Sequence, residues 1–192
     1  MPMEVSWTRR ARRLPIEVRE KISLRLNTLQ PYFPELSPQV RVGLTRLFEG
    51  FVFQSSRGFV RLNLEVRKRK GGLWQYPTYY TIAHELMHLV QFNSDEIPSG
   101  ETACDIFTLE RLPPRFIDES PTYLFVPPRA REAWREVDAE LAHTLAKTAV
   151  KRLENGDASY ASYWEDEFEH QYITTDHSGC RLVDHRVQSS SE

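Results

Sequence analysis

The chain has 192 residues, 40% of them hydrophobic, with 25 Lys/Arg against 27 Asp/Glu and two cysteines. That is enough apolar material for one core, while no apolar run approaches the roughly 18 residues of a membrane-spanning helix and two cysteines are too few for a disulfide framework. A helical membrane span and a disulfide-stapled scaffold are thereby excluded, and a compact cytoplasmic protein is expected.

Met1 to Arg13 carries Arg9, Arg10, Arg12 and Arg13 without an apolar core behind them, which is not the pattern of a secretory signal. Pro15 opens a helix through about Leu29, with Ile16, Ile22, Leu26 and Leu29 at near-helical spacing, and Pro31 and Pro34 end it. Three short strands rich in Val and Phe follow, Val40 to Leu44, Gly50 to Gln54 and Phe59 to Val66, with Ser55-Ser56-Arg57-Gly58 as a hairpin loop. In the last of them Val60, Leu62, Leu64 and Val66 alternate with Arg61, Asn63, Glu65 and Arg67, so one face meets a core and the other solvent. An exposed sheet edge can take up an extended peptide by strand addition, and Phe59 to Val66 is either such an edge or a central strand. The run Arg67-Lys68-Arg69-Lys70 can serve as a basic strand edge, pair with acidic helices, or bind nucleic acid.

The next helix, Tyr79 to Phe92, has no Gly or Pro and carries His84-Glu85-Leu86-Met87-His88. A four-residue step nearly completes a helical turn, so both imidazoles project from one face and can grip one metal ion. Glu85 sits beside that face, where a carboxylate takes a proton from a metal-activated water rather than ligating the metal. Ile82, Ala83, Leu86, Met87, Leu89 and Val90 supply the apolar stripe that buries the rest of the helix.

A catalytic zinc takes three protein ligands and keeps a fourth position open. Ser99 can cap a second helix on which Glu101 and Asp105 fall four apart on one face. Two acids there repel unless a cation lies near, which makes Glu101 the third ligand and Asp105 the acceptor for the free N–H of a ligand histidine. An exposed acidic helix face is the alternative. Cys104 points about 100° away from that face and reads as a small buried residue.

His84-Glu85-x-x-His88 followed by Glu101-x-x-x-Asp105 resembles the gluzincin pattern of zinc metallopeptidases. Glu101 to Pro113, with Phe107, Leu109, Leu112 and Pro113, is similar to the corresponding helix of ImmA/IrrE-type proteins, and the short gap between His88 and Glu101 resembles that of minimal gluzincins. The similarity covers about residues 62–113, and SprT-like and WLM-type proteases share only the first motif. The resemblance implies a zincin-like α+β fold, a small antiparallel sheet packed on the active-site helix and on the helix that follows. It also implies Zn2+ as cofactor, a peptide or protein substrate, His84, His88 and Glu101 as metal ligands, Glu85 as general base and acid, and Asp105 behind a ligand.

Phe116 to Pro128 is an extended stretch that runs beside the cleft or caps the core. A long helix from about Arg129 to Glu154 follows, with Trp134, Val137, Leu141, Leu145 and Val150 on one side and Gly156 as its stop. His143 within it reads as a satisfied or solvated histidine. A shorter helix, Ala158 to His170, presents Glu165, Asp166, Glu167 and Glu169 as a solvated face. Residues 1–173 are expected to form one catalytic domain. Residues 174–192 form a polar tail, either flexible or laid over the cleft with His177, Cys180, Asp184 or His185 at the metal. The expected activity is metal-assisted amide hydrolysis, with Tyr123, His143 or His170 as the donor to the oxyanion. The alternative is a zinc-containing regulatory or latent protein that acts on one specific partner, in association with DNA.

Overall fold

The first strand is one that no hydrophobic pattern announces. A computed structural model of the chain describes residues 3–45, 50–54, 60–94 and 96–178. In it Glu4–Trp7 forms β1, Ile16–Leu29 forms α1 and Gln39–Thr45 forms β2. β1 and β2 run parallel, with Val5 opposite Val40 and Trp7 opposite Val42. Parallel neighbours need a crossover, and α1 is that crossover. It buries Val18, Ile22, Leu26 and Leu29, so Val18 takes the inward place expected of Ile16, which is 62% exposed.

β3 (Gly50–Gln54) and β4 (Val60–Glu65) complete a sheet whose spatial order is β1-β2-β4-β3. β4 pairs antiparallel with β3 but parallel with β2. The expected antiparallel sheet is therefore a mixed one, and β4 is central rather than an edge. The hairpin loop Ser55 to Gly58 and Phe59 lie outside the described residues, although the strands on either side pair antiparallel as a hairpin requires. Register sets the faces. Val42 stands opposite Leu62 and Leu44 opposite Leu64, so Val40, Val42, Leu62 and Leu64 enter the core while Arg41 and Arg61 remain exposed.

Arg67–Lys68 and Trp74–Gln75 pair as β5 and β6, a separate two-stranded ribbon turned by Gly71 and Gly72 at φ 100° and 88°, backbone that glycine adopts readily. All residues from Arg67 to Leu73 are exposed. α2 (Tyr79–Asn93) then packs between β3 and α3 (Glu101–Arg111).

The expected helix over 129–154 is two helices, α4 (Pro128–Glu132) and α5 (Glu136–Glu154). Between them Trp134 leaves the helical path and donates its indole N–H to Ile117 O at 2.9 Å, while Asp138 reaches back to the Arg135 N–H at 2.9 Å and starts α5 afresh. The buried stripe of α5 is Ala139, Ala142, Leu145, Ala146 and Ala149, whereas Val137 is 48% exposed. Gly156 closes α5 as expected, its N–H on Leu153 O at 2.8 Å.

α6 (Tyr160–Ser178) is longer than expected, so residues 174–178 are helix rather than tail. Small alanines on α5 let α6 come close, burying Trp164 and Phe168 completely, and the Trp164 indole donates to Ala142 O at 3.1 Å. The whole is a mixed α+β arrangement of one small sheet and several helices. One cluster of buried apolar side chains runs from Met3 through α1, the sheet, α2, α3 and α5 to Phe168. Among the described residues no helix is long and apolar enough to cross a membrane.

Candidate metal centre

α2 is anchored at its start by groups from two segments. Thr78, its N-cap, accepts the Thr81 N–H at 2.9 Å, and Asp118 accepts the N–H groups of Tyr79 and Tyr80 at 3.1 and 3.0 Å. The first turn of a helix leaves its N–H groups without intrahelical partners, and a carboxylate there also meets the positive end of the helix dipole. Glu119 joins the cap by accepting from the hydroxyls of Thr78 and Thr81. The helix that bears both histidines thus starts from a fixed point.

α3 begins differently from expectation. Its N-cap is Gly100 rather than Ser99, at φ 109° and ψ 161°, a conformation essentially reserved for glycine. That turn makes Glu101 the first residue of α3 and leaves it facing α2.

The result is a convergence of three side chains on one point. Oε2 of Glu101 lies 3.1 Å from Nε2 of His84 and 3.0 Å from Nε2 of His88. Donors that share a tetrahedral zinc with bonds of ~2.0–2.2 Å stand about 3.3–3.5 Å apart, and the Glu101 oxygen lies a few tenths of an ångström inside that spacing from each Nε2. The two imidazoles stand edge to face, ring centroids 4.8 Å apart.

The other ring nitrogens are both held. Nδ1 of His84 donates to Oδ1 of Asp105 at 2.8 Å, and Nδ1 of His88 donates to Oε1 of Gln91 at 2.9 Å. Asp105 is fully buried and accepts further from the Tyr80 hydroxyl at 2.7 Å and from the Tyr123 N–H at 2.7 Å. Glu101, by contrast, has 47% of its side chain exposed. Of the two acids on this face of α3, one opens to solvent at the site and the other is enclosed behind it.

Burial, the largest single influence, would lower the His84 pKa, but the hydrogen bond to Asp105 together with the contributions of Cys104 and the charge of Asp105 outweighs it, and the pKa is pushed up to about 12. Burial, followed by the charge of Asp105, drives the Tyr80 phenol well above its ordinary value, so it remains a donor. Tyr123 stacks on the His84 ring at 5.7 Å between centroids and 20° between planes. Its phenol pKa is raised by partial burial and then by Glu101.

Glu85 is 6% exposed and follows His84 directly on α2, outside the convergence on Glu101. His84, His88 and Cys104 also offer atoms within 4.8 Å of one another, a cluster able to hold a metal. The thiol is the weaker donor. It donates to the His84 carbonyl at 3.2 Å, and burial pushes its pKa up to about 11, so it would have to lose a proton in an apolar setting before ligating.

Helical spacing therefore brings together His84, His88, Glu101 and Asp105 as expected. Tyr80 and Gln91 were missed, although Tyr80 lies four residues before His84 and Gln91 three after His88, positions that helical spacing itself marks as neighbours. Of the three expected donors to an oxyanion, only Tyr123 reaches the site. His143 donates to Leu109 O at 2.8 Å, tying α5 to α3, and His170 is exposed on α6. Cys180, Asp184 and His185 lie outside the described residues, as does the side chain of His177. Comparison with protein-family models, with curated proteins and with solved structures finds no match for this chain.

Proposed function

We propose that the protein is a cytoplasmic zinc-dependent metallopeptidase of the gluzincin type with a zincin-like fold, in which His84, His88 and Glu101 hold the metal and Glu85 is the general base. The observation that carries this reading is that one carboxylate oxygen of Glu101 meets Nε2 of His84 at 3.1 Å and Nε2 of His88 at 3.0 Å, with each outward Nδ1 already committed to an acceptor. When bound, zinc supplies Lewis acidity and brings the pKa of water toward neutrality.

The side chains supply the rest. Glu85 takes a proton from the attacking water and returns it to the leaving amine as the C–N bond breaks. Asp105 and Gln91 hold Nδ1 of the two rings as donors, so that Nε2 is the atom each ring would offer to a metal. The Tyr123 phenol, kept protonated, donates to the oxygen on which charge develops. An extended substrate adds to β3, the sheet edge that packs beside α2, and not to β4.

The test is hydrolysis of a mixed peptide library by wild type and by Glu85→Gln at matched metal content. Removal of the base should cost on the order of 10²–10⁴ in rate while leaving metal content unchanged. Equal cleavage by both proteins would remove Glu85 from the chemistry.

A second reading is a regulatory or latent zinc protein acting on one partner at DNA, and one observation favours it. Arg67, Lys68, Arg69 and Lys70 lie on the exposed β5–β6 ribbon, where Lys68 sits over the Trp74 ring at 5.9 Å. Of these four, only Arg67 is in an ion pair among the described residues, with Glu65 on the adjoining strand, and the run lies on the ribbon rather than on the main sheet. On this reading duplex DNA binds with a salt slope that becomes shallower when Lys68, Arg69 and Lys70 are changed to Ser, and peptides unrelated to the partner are not cleaved.

A further inference from the structure

We infer that Gln91 is a positioning residue that sets two of the three metal ligands at once, an inference that rests on the metal-site reading above. Its amide nitrogen donates to two backbone carbonyls, Pro98 O at 2.7 Å and Gly100 O at 3.2 Å. Carbonyls only accept, so these two bonds fix which end of the amide faces them and turn Oε1 toward His88, 2.9 Å from Nδ1. An amide oxygen also only accepts. Nδ1 of His88 is therefore the donor in that bond, and Nε2, 3.0 Å from Glu101, is the ring atom left to turn toward a metal.

The same two donated bonds hold the Pro98–Gly100 turn against α2, and that turn delivers Glu101 as the first residue of α3. A single planar group thus couples the tautomer of one ligand to the placement of another. The two histidines are steadied by different chemistry. His84 has behind it a fully buried carboxylate, Asp105, whereas His88 has a neutral amide on the partly buried, solvent-facing side. Gln91 can hold His88 without adding negative charge to the site, and its bond to the turn is something a carboxylate in the same place could not provide.

Two variants separate the roles. Gln91→Glu keeps an acceptor for His88 but cannot donate to Pro98 O or Gly100 O, and Gln91→Leu loses both functions. The first measurement is made on metal-free protein at one pH, with the His88 tautomer read from 15N NMR and amide exchange followed at Cys104, whose N–H is bonded to Gly100 O at 3.0 Å. Wild type and Gln91→Glu should show His88 protonated on Nδ1, and Gln91→Leu a mixture of tautomers. Exchange at Cys104 should be faster than wild type in both variants. The second measurement is affinity for zinc ion in competition with a chromophoric chelator, where Gln91→Leu should bind 10–100-fold more weakly at an unchanged apo melting temperature.

A Gln91→Leu protein with the wild-type tautomer and wild-type zinc affinity overturns the inference. So does a Gln91→Glu protein whose Cys104 N–H exchanges as slowly as wild type. If wild type takes up no zinc, the metallopeptidase reading fails, and the tautomer and exchange data still decide whether Gln91 sets His88 and the turn.

Discussion

Asp105 joins three segments through one carboxylate: α2 through Tyr80 and His84, the coil after α3 through the Tyr123 N–H, and α3 itself. It is 0% exposed, so each of those donors depends on it rather than on water. Asp105→Ala leaves three buried or half-buried donors without their acceptor, at a cost of ~1–3 kcal/mol for each one that cannot find water. We expect a loss of unfolding free energy of about 3 kcal/mol by denaturant titration, with zinc affinity down 10–100-fold. Asp105→Asn, which keeps one acceptor oxygen, should lose less stability than Ala. An alanine variant with wild-type stability and affinity would show that the carboxylate is not what holds the ring. Much of this site was legible because its members lie within one or two turns of a helix, where spacing fixes proximity: His84 to His88, and Glu101 to Asp105. Tyr123 was legible only as one of three possible donors. Its approach to His84 comes from a coil whose path depends on Asp105 accepting its N–H, a contact across 18 residues that no local pattern encodes.

Helices α1, α2 and α3 were readable because their signals are local: a proline at the start, an apolar stripe, an uninterrupted run. Sheet order was not, since β1 has only four residues and finds β2 across the whole of α1, and β4 inserts between two strands that are consecutive in the chain. The α4–α5 break was hidden for a related reason, because the indole of Trp134 finds its acceptor at Ile117 and the apolar spacing continues through the break. Two predictions belong at this scale. Asp118→Ala removes the acceptor for the first two N–H groups of α2 and should cost about 1 kcal/mol, seen as a lowered melting temperature with the metal site otherwise intact. Asp157, in the turn between α5 and α6, has its carboxyl held below the ordinary range by the Ser159 N–H and then by Arg152. A depressed folded-state pKa contributes stability above the unfolded-state pKa and loses it as pH falls through the folded value. Melting temperatures of wild type and Asp157→Asn should therefore differ at neutral pH and converge in acid, and a constant difference across that window would contradict the assignment.

Charge is divided unevenly along the molecule, 15 Lys/Arg and 6 Asp/Glu in residues 1–70 against 10 and 21 in the remainder. That division alone would favour attraction between the halves. One ion pair that joins them, Arg111 with Glu35 at 2.8 Å, is of the opposite sense to the overall imbalance. Much of the basic excess is instead displayed, at the β5–β6 ribbon above all. What unites the halves is the apolar cluster that takes in α1, the sheet and the helices that carry the site, so the positions of His84, His88 and Glu101 are a property of the whole core. The central claim, that these three side chains form a single metal centre, is tested most directly by elemental analysis of purified wild type, His84→Ala and Glu101→Ala. The account predicts one zinc per chain in wild type and a strong loss in both variants. Full zinc in Glu101→Ala would contradict the three-ligand site and pass the third position to Cys104 or to a group outside the described residues, and no zinc in wild type would contradict the metal centre itself.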